Sequence, residues 1–84
     1  MSDASVEEKL RRYLVDELGL PRTLTEDADL AESGLLVSAQ LIDVVVFLED
    51  TFRVVLRPVD VVPEKMRTIR TMAEVVRDRM SAHP

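Results

Sequence analysis

The chain has 84 residues, no cysteine and a formal net charge of −5. A single small domain over residues 1–84 is expected, with neither a disulfide framework nor a thiolate metal site. The acidity argues against nucleic-acid partners, which call for basic patches, and favours proteins with basic surfaces.

Residues 1–5 lack the basic and apolar regions of a signal peptide, and no apolar run approaches a membrane span. A cytoplasmic monomer without membrane contacts is therefore expected. With one Tyr, two Phe and no Trp, the core must come from Val, Leu, Ile and Met.

Ser5 is placed to cap a first helix, with Glu7 and Glu8 in the turn where the helix dipole favours acids. Val6, Leu10, Leu14 and Leu18 recur every four residues with Tyr13 beside them, and Gly19 and Pro21 end the pattern. The first helix is predicted over about residues 4–18. Residues 20–37 lack sustained periodicity and read as a long loop, pinned to the core by Leu24, Leu30, Leu35 and Leu36.

The second helix is predicted from about Ser38 to Phe52. Leu41, Val44, Val45, Leu48 and Phe52 form its inward stripe at 100° per residue. Its opposite side carries Ala39, Ile42, Asp43, Val46, Glu49 and Asp50. Branched aliphatics among acids on an outward face suggest a docking surface.

Arg53–Arg57 has strand-like composition but no second strand to pair with, so an extended linker is expected. Pro63 opens a single helical turn through Met66. Thr68 caps a last helix with Ile69, Met72, Ala73, Val76 and Met80 inward and Arg70, Arg77 and Arg79 outward. Residues 81–84 should fray. The sum is an all-α four-helix bundle, with three main helices, a short third one and a long first loop.

Several fragments, in this order, carry a resemblance: Leu30-Ala31-Glu32-Ser33-Gly34-Leu35-Leu36, a serine at the head of a helix, Phe47-Leu48-Glu49-Asp50-Thr51-Phe52, and Pro63-Glu64-Lys65-Met66-Arg67-Thr68-Ile69. Together they resemble the acyl and peptidyl carrier protein family over nearly the whole chain. The resemblance implies a four-helix bundle with 4′-phosphopantetheine attached covalently to Ser38. That arm would hold an acyl, aminoacyl or peptidyl group as a thioester, and the chain itself would not be an enzyme. Asp43, Glu49 and Asp50 map onto the family's recognition acids, Ile42 and Val46 onto the apolar contacts between them, and Ala39 onto the position after the serine. The implied partners are a phosphopantetheinyl transferase and acyltransferase, ketosynthase or adenylation-type enzymes with basic docking surfaces. A discrete carrier is expected, and an excess of Arg over Lys suits polyketide or nonribosomal peptide type biosynthesis.

Two positions depart from the family pattern. Val37 stands where an aspartate normally precedes the serine, and Arg53 where a glycine normally follows the helix-two phenylalanine. Without the aspartate, Ser38 could itself cap the helix through the N–H of Gln40 or Leu41. A hydroxyl so engaged is a poorer nucleophile, and the alternative is a carrier-like scaffold that is never modified.

Other candidates read as structural. Glu26, Asp27, Asp29 and Glu32 lack the glycine and terminal glutamate of a calcium loop, so a solvated acidic loop is expected. Met66, Met72 and Met80 read as core filling. His83, the only histidine, lies in the tail, so Ser38 lacks a general base and no catalytic residue is expected.

Overall fold

The structure, a computed structural model, describes residues 5–82. Four helices occur in the order α1 (Val6–Asp16), α2 (Gln40–Phe52), α3 (Pro63–Met66) and α4 (Ile69–Ala82). The described residues contain no strand, and the fold is an all-helical bundle. His83 and Pro84 lie outside the described residues, as do the first four.

The capping chemistry acts as read. Ser5 Oγ accepts the N–H of Glu8 at 3.1 Å, and Leu10 and Leu14 are fully buried. Gly19 takes a left-handed φ of 77° just beyond α1. At α4 the capping is reciprocal: Thr68 Oγ1 accepts from Thr71 N–H at 3.0 Å, and Thr71 Oγ1 accepts from Thr68 N–H at 3.1 Å. Two orphan donors are thus satisfied at one helix start. Pro63 occupies the first turn of α3, where its missing N–H costs nothing.

One core joins all four helices. Leu10 and Leu14 meet Val44 and Leu48 of α2, Met66 of α3, and Ile69, Met72 and Val76 of α4. Val75 is also buried, while Met80 is half exposed at 50 % and fills no core. The α4 stripe therefore ends one turn earlier than its period suggested.

Arg79 also departs from its expected outward place. Its Nε lies 3.4 Å from Asp60, a carboxylate only 2 % exposed. Asp60 also accepts the Arg57 N–H at 2.9 Å and has Lys65 Nζ at 3.9 Å. The α2–α3 connection thus closes around a buried acid whose charge is offset by paired cations and a backbone donor.

The long loop contains two 3₁₀ turns, Leu30–Ser33 and Leu35–Val37, joined by Gly34 at φ 79°. Leu30 and Leu35 are buried at their starts, and Leu24 and Leu36 pack more loosely. The loop acids are not simply solvated. Asp27 receives two hydrogen bonds from Arg70 at 2.6 and 3.2 Å, and Asp29 two from Arg67 at 3.2 and 3.1 Å. The guanidinium beside each holds both carboxyls below their usual range. From α1, Arg11 donates to the carbonyls of Leu24 and Arg22. Main-chain bonds run from Leu30 N–H to Arg67 O at 2.8 Å and from Arg70 N–H to Glu26 O at 3.0 Å.

Candidate functional site: the head and outer face of α2

The anchored 3₁₀ turns deliver Ser38 to the head of α2. Ser38 is extended (φ −111°, ψ 164°), and Ala39 is already helical without a side-chain cap. The Ser38 carbonyl accepts the Leu41 N–H at 3.1 Å. Its Oγ accepts the Gln40 N–H at 3.2 Å and donates to Leu35 O at 3.1 Å. Ser38 therefore does the work of a cap, through Gln40, one of the two donors anticipated for it.

The residues around Ser38 are open. Val37 is 91 % exposed, and Ala39 and Gln40 lie on the surface. Along α2, Val44 and Leu48 are buried, with Leu41, Val45 and Phe52 packed at the core's edge. Ile42 at 66 % and Val46 at 49 % are exposed, so the helical phase read from the sequence holds.

The acids on this helix divide. Asp43 and Asp50 are exposed and have no ion-pair partner among the described residues. Glu49 is half buried, and its carboxylate accepts the Leu56 N–H at 2.8 Å. It ties the chain leaving α2 back onto the helix. Val54 N–H adds a bond to Glu49 O at 3.3 Å, and Arg53 between them takes a left-handed conformation (φ 57°, ψ 47°). The position where a glycine is usual is thus a left-handed helix terminus occupied by arginine.

The aromatics form a feature that helical periodicity did not reveal. Tyr13 of α1 stacks on Phe47 of α2, with ring centres 4.1 Å apart and planes at 14°. Phe47 meets Phe52 edge-on at 6.2 Å, and Lys9 Nζ lies 5.8 Å from the Phe52 ring centre. An open groove beside the stack is lined by Tyr13, Asp43, Val46, Phe47, Asp50 and Thr51. A lone tyrosine and a phenylalanine at the edge of their stripes were the only available signal for it.

No group of three or more His, Cys, Asp or Glu among the described residues could hold a metal ion. No described helix is long and apolar enough to cross a membrane. Comparisons with protein-family models, with curated proteins and with solved structures gave no match.

Proposed function

We propose that the chain is a carrier protein bearing 4′-phosphopantetheine on Ser38. The reading rests on the resemblance described above. The observation that carries it furthest is a serine hydroxyl at the head of α2, between exposed Val37 and Ala39, beside a helix face of exposed Ile42, Asp43, Val46 and Asp50.

The surroundings of Ser38 fit such a group. Attachment at Oγ removes the hydroxyl's bond to Leu35 O but leaves the Gln40 N–H directed at the same oxygen. A phosphodiester there gains from that donor and from the positive end of the helix dipole. Once attached, the arm supplies a thiol that holds the cargo as a thioester. The chain's own residues then position it: Leu30 and Leu35 anchor the approach to Ser38, and the α2 face meets the partner enzymes. Polyketide or nonribosomal peptide type biosynthesis is the proposed setting, with acyltransferase, ketosynthase or adenylation-type partners.

Intact-protein mass after incubation with coenzyme A and a broad-specificity phosphopantetheinyl transferase tests the proposal. One phosphopantetheinyl increment is expected, and it disappears in Ser38→Ala. Absence of any increment, under conditions that modify a control carrier, sinks the carrier reading for that transferase.

The second reading is an unmodified scaffold. It is favoured by the engagement of Ser38 Oγ as both donor and acceptor, next to a Val37 that provides no capping oxygen. Val37→Asp separates the two. A large gain in modification marks the natural site as a poor substrate, whereas equal modification of both forms removes the case for the scaffold.

A further inference from the structure

Most arginines of this acidic chain are neutralised. Arg12, Arg67, Arg70, Arg77 and Arg79 each meet a carboxylate. Among the described residues Arg11 and Arg22 meet none, and the two stand together. They line an open cleft of about 490 Å³ between the N-terminal half of α1 and the start of the long loop.

Arg11 is fixed in place there. Its Nε donates to Leu24 O at 2.9 Å and its Nη2 to Arg22 O at 2.8 Å. Those bonds use two of the five donors of a guanidinium and leave its charge without an anion. Leu24 packs against the core, and the exposed Thr23 and Thr25 on either side of it both line the cleft. Two cations and two hydroxyls are thus presented by backbone that is already held.

The acids of the cleft do not cancel this charge. Glu8 lies 3.8 Å from Arg12 and Glu26 3.4 Å from Arg70, and neither of those arginines lines the cleft. Arg12 lines a second hollow that shares Arg11 and Arg22, where three arginines stand against Glu8 and Asp16. A chain of net charge −5 keeps a local cationic surplus at this place.

We propose that the cleft binds a small phosphomonoester carrying free hydroxyl groups, of the sugar-phosphate class. A guanidinium meets two phosphate oxygens at once, and threonine hydroxyls supply further donors. Glu8 and Glu26, each beside an arginine, accept from the ligand's hydroxyls. Leu24 is the one apolar residue of the lining, and no aromatic is present. Neither a nucleobase nor an acyl chain finds the stacking or apolar wall it needs there. The volume lies within the usual range of small-molecule sites.

The site is distinct from Ser38 and the outer face of α2, so the inference goes beyond the proposed function and is tested on unmodified protein. The probe is glucose 6-phosphate, with glucose and inorganic phosphate as controls, followed by two-dimensional proton–nitrogen NMR. Saturable shifts are expected at the backbone amides of Thr23 and Thr25 and at Arg11 Nε. Glucose should cause none, and inorganic phosphate should bind more weakly than the ester.

Arg22→Gln should weaken binding roughly three- to tenfold, as the loss of one exposed charge contact implies. Arg22 is exposed, and the rest of the spectrum reports that the variant is folded. Arg57→Gln removes the same charge outside the cleft lining and should leave the affinity unchanged. Absence of saturable shifts overturns the proposal, as does undiminished binding by Arg22→Gln. An equal loss in both variants would reduce the effect to net charge and also overturn it. Inorganic phosphate binding as tightly as the ester would overturn the assignment of ligand class, since the carboxylates would then recognise nothing.

Discussion

Replacing Glu7 by glutamine should destabilise the bundle in a way that vanishes in acid. Glu7 lies in the first turn of α1 with its side chain 12 % exposed, and Arg77 of α4 is 48 % exposed beside it. Two hydrogen bonds of 2.7 and 2.6 Å join them. The Arg77 hydrogen bonding, working against burial, lowers the Glu7 carboxyl from its ordinary 4.5 to about 2. At 1.36 kcal/mol per pH unit that depression sets a ceiling of about 3 kcal/mol. Solvent around the half-exposed guanidinium screens the pair, so about 1–2 kcal/mol is the working expectation. The pKa falls on folding, so this stability is complete above the unfolded value of 4.5 and is lost as pH drops toward about 2. Urea unfolding of wild type and Glu7→Gln at pH 7, 5, 3.5 and 2 measures it. The gap between the two proteins should be full at pH 7 and 5, narrow at pH 3.5 and nearly close at pH 2. A gap of constant size across the series refutes the ion-pair account and leaves packing as the cause.

Arg53→Gly should stabilise the fold by about 0.5–1 kcal/mol, since glycine takes the left-handed conformation without the steric cost that arginine bears. The gain in urea midpoint should come with an unchanged denaturant slope, and a loss would show that the Arg53 side chain makes a contact of consequence. Met72→Ala should cost about 2–4 kcal/mol by opening a void in the core, whereas Met80→Ala should cost under about 1 kcal/mol. Equal losses in thermal unfolding would contradict the position of Met80.

Features set by local chemistry were legible in the sequence. Ser5, Thr68 and Pro63 mark helix starts because the bonds they make or spare lie within four residues. The α2 stripe was legible because its 100° phase separates Val44 and Leu48 from Ile42 and Val46. What periodicity cannot carry is how far a neighbour reaches, so Met80 continued the α4 stripe past the end of its cover.

Pairs formed across the chain left no periodic trace. Glu7 meets Arg77, and Asp27 and Asp29 meet Arg70 and Arg67, at separations of 70, 43 and 38 residues. Asp60 had a weak signal, a lone acid among valines between two prolines, but nothing named Arg79 as its partner. At the candidate site, the position of Ser38 was legible. The return of Glu49 to Leu56 N–H and the joining of Tyr13 to Phe47 required the packed fold.

The two main-chain bonds from the long loop, Leu30 N–H to Arg67 O at the α3–α4 corner and Arg70 N–H in the first turn of α4 to Glu26 O, make a two-rung ladder without a sheet. Both rungs lie beside arginine–carboxylate clamps. A loop held in this manner cannot open by fraying from its ends, because its middle is fastened to an element far along the chain. Amide protons of Leu30 and Arg70 then exchange through cooperative opening of the bundle and not through local fluctuation. The serine at the end of that loop sits on a rigid mount.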